Sequence, residues 1–308
     1  MTSSPLPLPG CRDIAAALLT HWRLNGAEVT PLPGGMNSVT WDVRCGTVRR
    51  VAKAVPCGGA AEEQFRRGLR LAARVEAAGI PAGAPLPTAR GRLTAVTGGH
   101  VLALLSRVEG RELDGADGCD TVRLGTTLAR VHRVLGTGPV EPATARASFD
   151  LSADGWDAAF AARPWVLPAV TEVAERLRRL RPETLTWGPS HGDPAPEHFR
   201  LDPATGRCGL IDWGAAGFRP RLYDVATAVL DAGGPERARP LLRAYLHHDA
   251  LPPGEAERAL LPLLDFRYAI NAVYYADRIA RGDTTGTADV AHAENHLTRA
   301  RAWLSRRH

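Results

Sequence analysis

Lysine is almost missing from this sequence. Of 38 basic residues, 37 are arginine and one, Lys53, is lysine. Where arginine serves every generic positive charge, a surviving lysine is either a compositional remnant or a place that needs a compact ammonium on a flexible stem. Its position in the pattern decides between them. Paired cysteines are missing too. The five cysteines (Cys11, Cys45, Cys57, Cys119, Cys208) are scattered and form no CxxC pair. That excludes a disulfide framework and a zinc site of that type, and it predicts a reducing cytoplasm. No apolar run reaches the ~18 residues of a membrane span. The first ten residues carry neither a basic start nor an apolar stretch, so no signal peptide is expected. No run of five basic residues occurs either. The net charge of +5 is spread along the chain and reads as solvated surface charge, so no nucleic-acid partner and no membrane partner are expected.

What is present is an ordinary globular composition, 44% apolar and 23% charged over 308 residues. That length suits one large domain or two lobes. Apolar spacing predicts a short amphipathic helix over 13–22, then strands over 27–32, 39–44 and 48–55. Phe65, Leu69, Ala72 and Val75 predict a helix over 60–78, which Gly79-Ile80-Pro81 ends. Residues 93–96 and 101–107 flank Gly98-Gly99 and read as a hairpin. The expectation is a five-stranded, mostly antiparallel sheet with one helix inserted after the third strand. From Thr121 onward the pattern is mainly helical, with Val122, Leu128, Val131 and Leu135 on one face. Further helices are expected over 165–180, 223–230, 235–247, 262–281 and 289–304, with a β interlude at 199–201 and 208–211. Residues 136–154 are loosely patterned and read as a surface loop. The fold class is α+β in two lobes, 1–108 and 109–308.

Four local signals carry chemistry, and they fall in a fixed order. Pro33-Gly34-Gly35-Met36-Asn37-Ser38 lies between two strands, where glycines let backbone amides approach phosphate oxygens or simply close a hairpin. Val51-Ala52-Lys53 sits on the third strand, where a lysine facing that loop can pair with α/β-phosphates. Glu62 shares a face with Phe65 and Leu69 and points toward the sheet, either to brace Lys53 or to form a surface ion pair. Next comes Ser190-His191-Gly192-Asp193-Pro194-Ala195-Pro196-Glu197-His198-Phe199, a proline-stiffened loop. It presents a carboxylate able to accept a hydroxyl proton as a phosphoryl group moves. Last, the apolar strand ending Gly209-Leu210-Ile211 delivers Asp212, then Trp213 and Gly214, which places an acid to hold Mg²⁺ between nucleotide phosphates.

Together these residues resemble the aminoglycoside phosphotransferase and choline-kinase-like family, relatives of the eukaryotic protein kinases. His191-Gly192-Asp193 resembles the family's catalytic loop, and Ile211-Asp212-Trp213-Gly214 its metal-binding turn. Pro220-x-x-Tyr223-Asp224-Val225-Ala226 resembles the tail of that motif, where the Asp braces the loop. Leu128-Ala129-Arg130-Val131-His132 resembles its Leu-Ala-x-Leu-His helix, with His132 structural. The likeness runs from about Ala27 to Leu304, and the sole lysine lands on the expected strand. One position departs. The family has Asn five residues after the catalytic Asp, whereas this chain has His198, and no asparagine lies between Asn37 and Asn271.

The resemblance implies a protein-kinase-like fold. It also implies an ATP-dependent phosphotransferase that moves the γ-phosphate to the hydroxyl of a small molecule, with ATP in the cleft between lobes. The alternatives are a kinase of peptide Ser/Thr and a nucleotide-binding pseudokinase. ATP would be held by Gly34, Gly35, Asn37, Ser38, Lys53 and Glu62, with adenine at the strand exit Ser106–Arg107–Val108. Asp193 would be the catalytic residue. Asp212 would hold Mg²⁺. Glu197 and His198 are the further metal candidates: because Mg²⁺ prefers oxygen, either Glu197 turns inward as a ligand with His198 on phosphate, the preferred reading, or a single Mg²⁺ is held by Asp212, the nucleotide and water. For the acceptor the candidates are Asp265 and Asp277, which could bind an amine and read equally as solvated helix charge, and Tyr268 and Tyr274, which could hold a cation or sugar face although such a stripe is more often helix core.

Overall fold

A computed structural model describes residues 8–33, 38–151, 155–284 and 290–306. By contacts the chain divides into two units, Met1–Leu113 with Glu197–Gly217, and Asp114–Pro196 with Phe218–His308. The expected lobes are contiguous and meet at 108, whereas these units meet at 113. A returning segment, 197–217, leaves the second half of the sequence and completes the first unit.

The chain starts with α1 (Cys11–Trp22), β1 (Glu28–Leu32), β2 (Val39–Cys45) and β3 (Val48–Pro56). Then come α2 (Gly59–Ala77), β4 (Ala95–Thr97), β5 (His100–Ser106) and β6 (Arg111–Glu112). The five longer strands form one antiparallel sheet in the order β1-β2-β3-β5-β4. Strand alternation sorts its faces. Trp41, Val43, Ala52, Leu102 and Leu104 pack with Ile14 and Leu18 of α1. Val55, Val101 and Ala103 pack with Phe65 and Leu69 of α2. Lys53, paired in register with Ala103, falls by the same alternation on the α2 face.

In the second unit α3 (Gly118–Leu135) buries Leu124, Leu128, Val131 and Leu135. Val122, expected on that face, is exposed. It lies six residues before Leu128, off the 3.6 period that Leu124 satisfies. Residues 136–154 are not all loop. Pro142–Ala147 forms α4, and the buried Phe149 packs edge-on against Phe266 and Trp187. A single aromatic anchor holds what periodicity did not reveal. There follow α5 (Asp157–Ala162), α6 (Val166–Arg179) and β7 (Trp187–Ser190). The returning segment adds β8 (Phe199–Leu201) and β9 (Cys208–Leu210) to the first unit, where they pair with β6 in the order β6-β8-β9. Then β10 (Gly217–Pro220) leads into α7 (Arg221–Asp231) and α8 (Arg239–Leu246). Next come α9 (Glu255–Arg281) and α10 (Val290–Leu304). Pro262, expected to open α9, lies inside it. A proline inside a helix loses its backbone donor and crowds the carbonyl four residues back, and burial of Ala259, Leu260, Leu263 and Leu264 on both sides of it opposes that cost.

Candidate active site

In the first unit, β3, α2, the end of β5 and the segment after β9 enclose a cavity of about 350 Å³. Its apolar walls include Val51, Phe65, Leu69, Leu105 and Ile211, and its polar end holds Lys53 and Asp212. Lys53 Nζ donates to Asp212 Oδ1 at 2.6 Å. The lysine side chain is 11% exposed and the aspartate 41%, so the pair sits at the edge of the buried region. Asp212 stands in a left-handed conformation, φ 61° and ψ 67°, and its carboxylate also accepts from Gly214 N at 3.2 Å. Among residues other than glycine, aspartate tolerates this region because its short side chain bonds locally. Such conformations gather at functional sites. The turn is pinned by Trp213, whose indole Nε1 donates to Leu210 O at 3.0 Å. Gly68 of α2 lets it come close. A Cβ at that position would lie 2.2 Å from Trp213 O.

The exit of β5 is held by a residue that sequence reasoning missed. Glu76 accepts from Ser106 Oγ at 3.0 Å, Ala84 N at 2.8 Å and Ala82 N at 3.2 Å. The signal was present, because an acid in the last turn of a helix opposes the macrodipole unless donors surround it. Arg107, which also lines the cavity, is fixed by Asp42 at 2.8 Å. Ser106 and Val108 line the cavity, whereas Ser38 is half-buried and is not part of the lining. Gly34, Gly35 and Asn37 lie outside the described residues.

Glu62 does not meet Lys53. Its carboxylate accepts from Gly58 N at 2.7 Å and from Arg66 Nε at 2.7 Å. The bond from the Gly58 amide, then Arg66, hold its carboxyl below the usual range. The open first turn of α2 needs an acceptor, so a carboxylate four residues past the capping glycine is taken up there. Lys53 pairs with Asp212 instead. Glu197 and His198 are likewise apart from the cavity lining. Glu197 is exposed and has not turned inward. Its carbonyl accepts from Arg200 Nη1 at 2.6 Å, which fixes the backbone rather than the carboxylate. His198 is half-buried, and its carbonyl accepts from Ile211 N at 2.8 Å, one residue before Asp212. Among the described residues no group of three or more His, Cys, Asp or Glu is placed to hold a metal.

In the second unit β7 delivers His191-Gly192-Asp193. Asp224 of α7, fully buried, receives His191 N at 2.7 Å and Gly192 N at 2.8 Å. Gly192 takes φ 89°, which a side chain would strain. His132 Nε2 meets Asp224 at 3.0 Å, and its Nδ1 meets the Tyr245 hydroxyl at 2.7 Å. Burial pushes the Asp224 carboxyl up. The His132 bond, the charges of His132 and His191 and the Gly192 amide outweigh it, so the carboxyl lies below its ordinary value. Burial, opposed by Arg221 and helped by Asp224, pushes the Tyr245 hydroxyl well above the tyrosine range. The network is thus anionic at one end only, and it fixes the backbone on which Asp193 stands. Asp193 itself is 44% exposed, with Arg267 Nη2 3.9 Å from Oδ1.

The four acceptor candidates, all on α9, are engaged by neighbouring side chains. Asp265 is buried and bonded by Arg176 at 3.0 Å and Trp303 Nε1 at 2.8 Å. Tyr268 stacks on Trp303 at 4.8 Å. Tyr274 receives Arg278 Nη1 at 3.1 Å, and Asp277 pairs with Arg281 at 2.9 Å. Helix packing and i,i+4 pairing account for these contacts. Arg267 gave no signal of its own among so many arginines.

A cavity with apolar walls, a buried ammonium and a facing carboxylate can hold an apolar ring and anionic oxygens. A partly exposed carboxylate on a braced loop can take a proton. The model of a family described as phosphotransferase enzyme family matches residues 28–261. Among solved structures, a microcompartment-associated aminopropanol kinase superposes with TM-score 0.70 at 18% identity, covering 94% of each chain. An amicoumacin kinase, solved with AMP-PNP, Ca²⁺ and its antibiotic, gives 0.71 at 15%, covering 95% of this chain and 92% of that one. A choline kinase from Streptococcus pneumoniae gives 0.64 at 17%, covering 96% and 98%. No curated protein sequence matches the chain.

Proposed function

From the premise that the chain belongs to the phosphotransferase enzyme family, we propose that it moves the γ-phosphate of ATP to a hydroxyl group of a small molecule. The observation that carries this reading is the Lys53–Asp212 pair in a cavity whose walls include Val51, Phe65, Leu69, Leu105 and Ile211. The cavity's apolar walls suit a purine, with Ser106, Arg107 and Val108 among its lining residues. Lys53 would bind phosphate oxygens as a compact charge, in exchange for its present partner. The solved relatives support the choice of substrates. One is an aminopropanol kinase, and another was crystallised with the ATP analogue AMP-PNP.

Mg²⁺ fits the donor set at Asp212. This ion usually takes one or two carboxylates and completes its shell with water and substrate phosphates, so no three-residue cluster is required. When bound it would neutralise charge on the phosphates. Asp212 would orient it, Lys53 would hold phosphate oxygens, and Asp193 would accept the hydroxyl proton of the acceptor. Among the described residues no helix is long and apolar enough to cross a membrane. A reducing cytoplasm accords with cysteines that form no disulfide among the described residues.

The test is Asp193→Asn. ATP affinity stays near the wild-type value and turnover falls by about 10²–10⁴, the usual worth of a positioned base. Both are read from nucleotide titration and ADP release. Unchanged turnover removes Asp193 from the reaction.

A further inference from the structure

The surroundings of Asp193 in the second unit hold arginine, where the sequence pointed to carboxylates for an amine. Both carboxylates expected to hold an amine are engaged by arginine, Asp265 by Arg176 and Asp277 by Arg281. The group that approaches Asp193 is Arg267, with Nη2 3.9 Å from Oδ1. That distance is an ion pair without a hydrogen bond. Nη1 donates to the Tyr223 hydroxyl at 2.6 Å, and Nε is buried with no hydrogen-bond partner among the described residues. The side chain is 11% exposed. The Tyr223 ring carries two guanidinium groups, Arg267 at 5.1 Å and Arg219 at 5.0 Å. Asp193 and the exposed Asp231 are the carboxylates whose charge acts on Arg267.

A buried guanidinium is costly unless it is paired and hydrogen-bonded. Tyr223 satisfies one of its three nitrogens. The remaining edge, Nε and Nη2, is the fork that takes a planar oxyanion through two parallel charge-assisted bonds. An ammonium brought to the same place meets two guanidiniums in a partly buried setting, where like charges repel more than at the surface. An oxyanion gains the bonds and the attraction of both guanidiniums, opposed by the charge of Asp193 and Asp231.

We propose that Arg267 is a specificity-determining residue, selecting acceptors that carry an oxyanion (carboxylate or phosphate) a few carbons from the reacting hydroxyl, rather than amino alcohols. The proposal rests on the phosphotransferase reading above. In the transfer the acceptor hydroxyl oxygen bonds to the γ-phosphorus. The bond from that phosphorus to the β,γ-bridging oxygen breaks, its electron pair leaves with ADP, and the hydroxyl proton passes to Asp193. Arg267 holds the oxyanion while Asp193 holds the hydroxyl, which the short Arg267–Asp193 spacing matches.

ADP release is measured with ethanolamine, ethylene glycol, glycolate and glycerol phosphate, in wild type, Arg267→Lys and Arg267→Met. Glycolate or glycerol phosphate raises ADP release over the water background more than ethanolamine does, and whichever is better separates carboxylate from phosphate. Arg267→Met lowers kcat/KM for that anion by about tenfold to a hundredfold, the loss of a charged hydrogen bond. Arg267→Lys keeps the charge without the fork and falls between. Three results overturn the proposal: ethanolamine used as well as either anion, an unchanged order of preference in Arg267→Met, or no response to any of the four. ATP binding and ATP hydrolysis with water as acceptor are followed in the same wild-type preparation. Their absence sinks the phosphotransferase reading itself, and their presence assigns a failure to the acceptor class alone.

Discussion

Lys53 and Asp212 show how far single residues constrain the chemistry. The lysine is the one ammonium in a chain of arginines, and its Nζ fits 2.6 Å from a carboxylate at the polar end of the cavity. A guanidinium is planar, larger and forked, so Lys53→Arg keeps the charge and loses the fit. Turnover of ATP falls by about 10², comparable to removing one aimed donor. Normal turnover in that variant would make the lone lysine a compositional accident. Glu197 is the opposite case. Its carboxylate is exposed and its backbone is tied to Arg200. Glu197→Gln therefore leaves the Mg²⁺ dependence of turnover unchanged, whereas Asp212→Asn removes activity at any Mg²⁺ concentration. A raised Mg²⁺ requirement in Glu197→Gln would show that the loop turns inward when nucleotide binds.

At the scale of elements the site depends on how closely α2 lies against the turn after β9. Gly68 and Trp213 set that approach, since an added Cβ would meet a carbonyl oxygen at 2.2 Å. Gly68→Ala forces backbone apart. The cost is about 1–3 kcal/mol of stability, typical of overpacking, read as a lower urea midpoint with unchanged m-value. ATP affinity falls with it, because Asp212 moves with Trp213. The long elements were legible in the sequence. The helix from Gly59 and the hairpin strands lie within a few residues of their expected bounds, because the buried residues of α2 repeat at the helical period and the buried run of β5 follows the turn glycines Gly98-Gly99. The segment Pro142–Ala147 was not, since a six-residue helix shows less than two turns of periodicity.

At the scale of the whole molecule, a half-buried histidine couples stability to pH. His296 of α10 stacks on Tyr275 of α9 at 4.3 Å, with His292 at 4.6 Å. Burial, then the charges of His292 and Arg299, hold its imidazole at about 4, below the ordinary 6.5. The unfolded chain therefore takes up a proton first as pH falls. Stability is unaffected above about pH 6.5, drops between 6.5 and about 4, and levels off below. Urea midpoints measured across that window show the drop, and His296→Gln flattens it. An equal slope in that variant would place the pH dependence elsewhere.

The sequence by itself determined the order of the chemical motifs, the face of the sheet on which Lys53 lies, and the family. All three are encoded in neighbours or in a period a few residues long. The tertiary structure decided the partners. Lys53 found Asp212, 159 residues away. Glu62 was taken by the nearer amide of Gly58 and by Arg66. Asp265 and Asp277 were neutralised by arginines, and Arg267 was set beside Asp193. In a chain with 37 arginines and 33 carboxylates, many opposite charges could pair with almost equal energy. Composition does not rank those pairings. Only the distances imposed by packing do, since the strength of a charged contact depends on separation and burial.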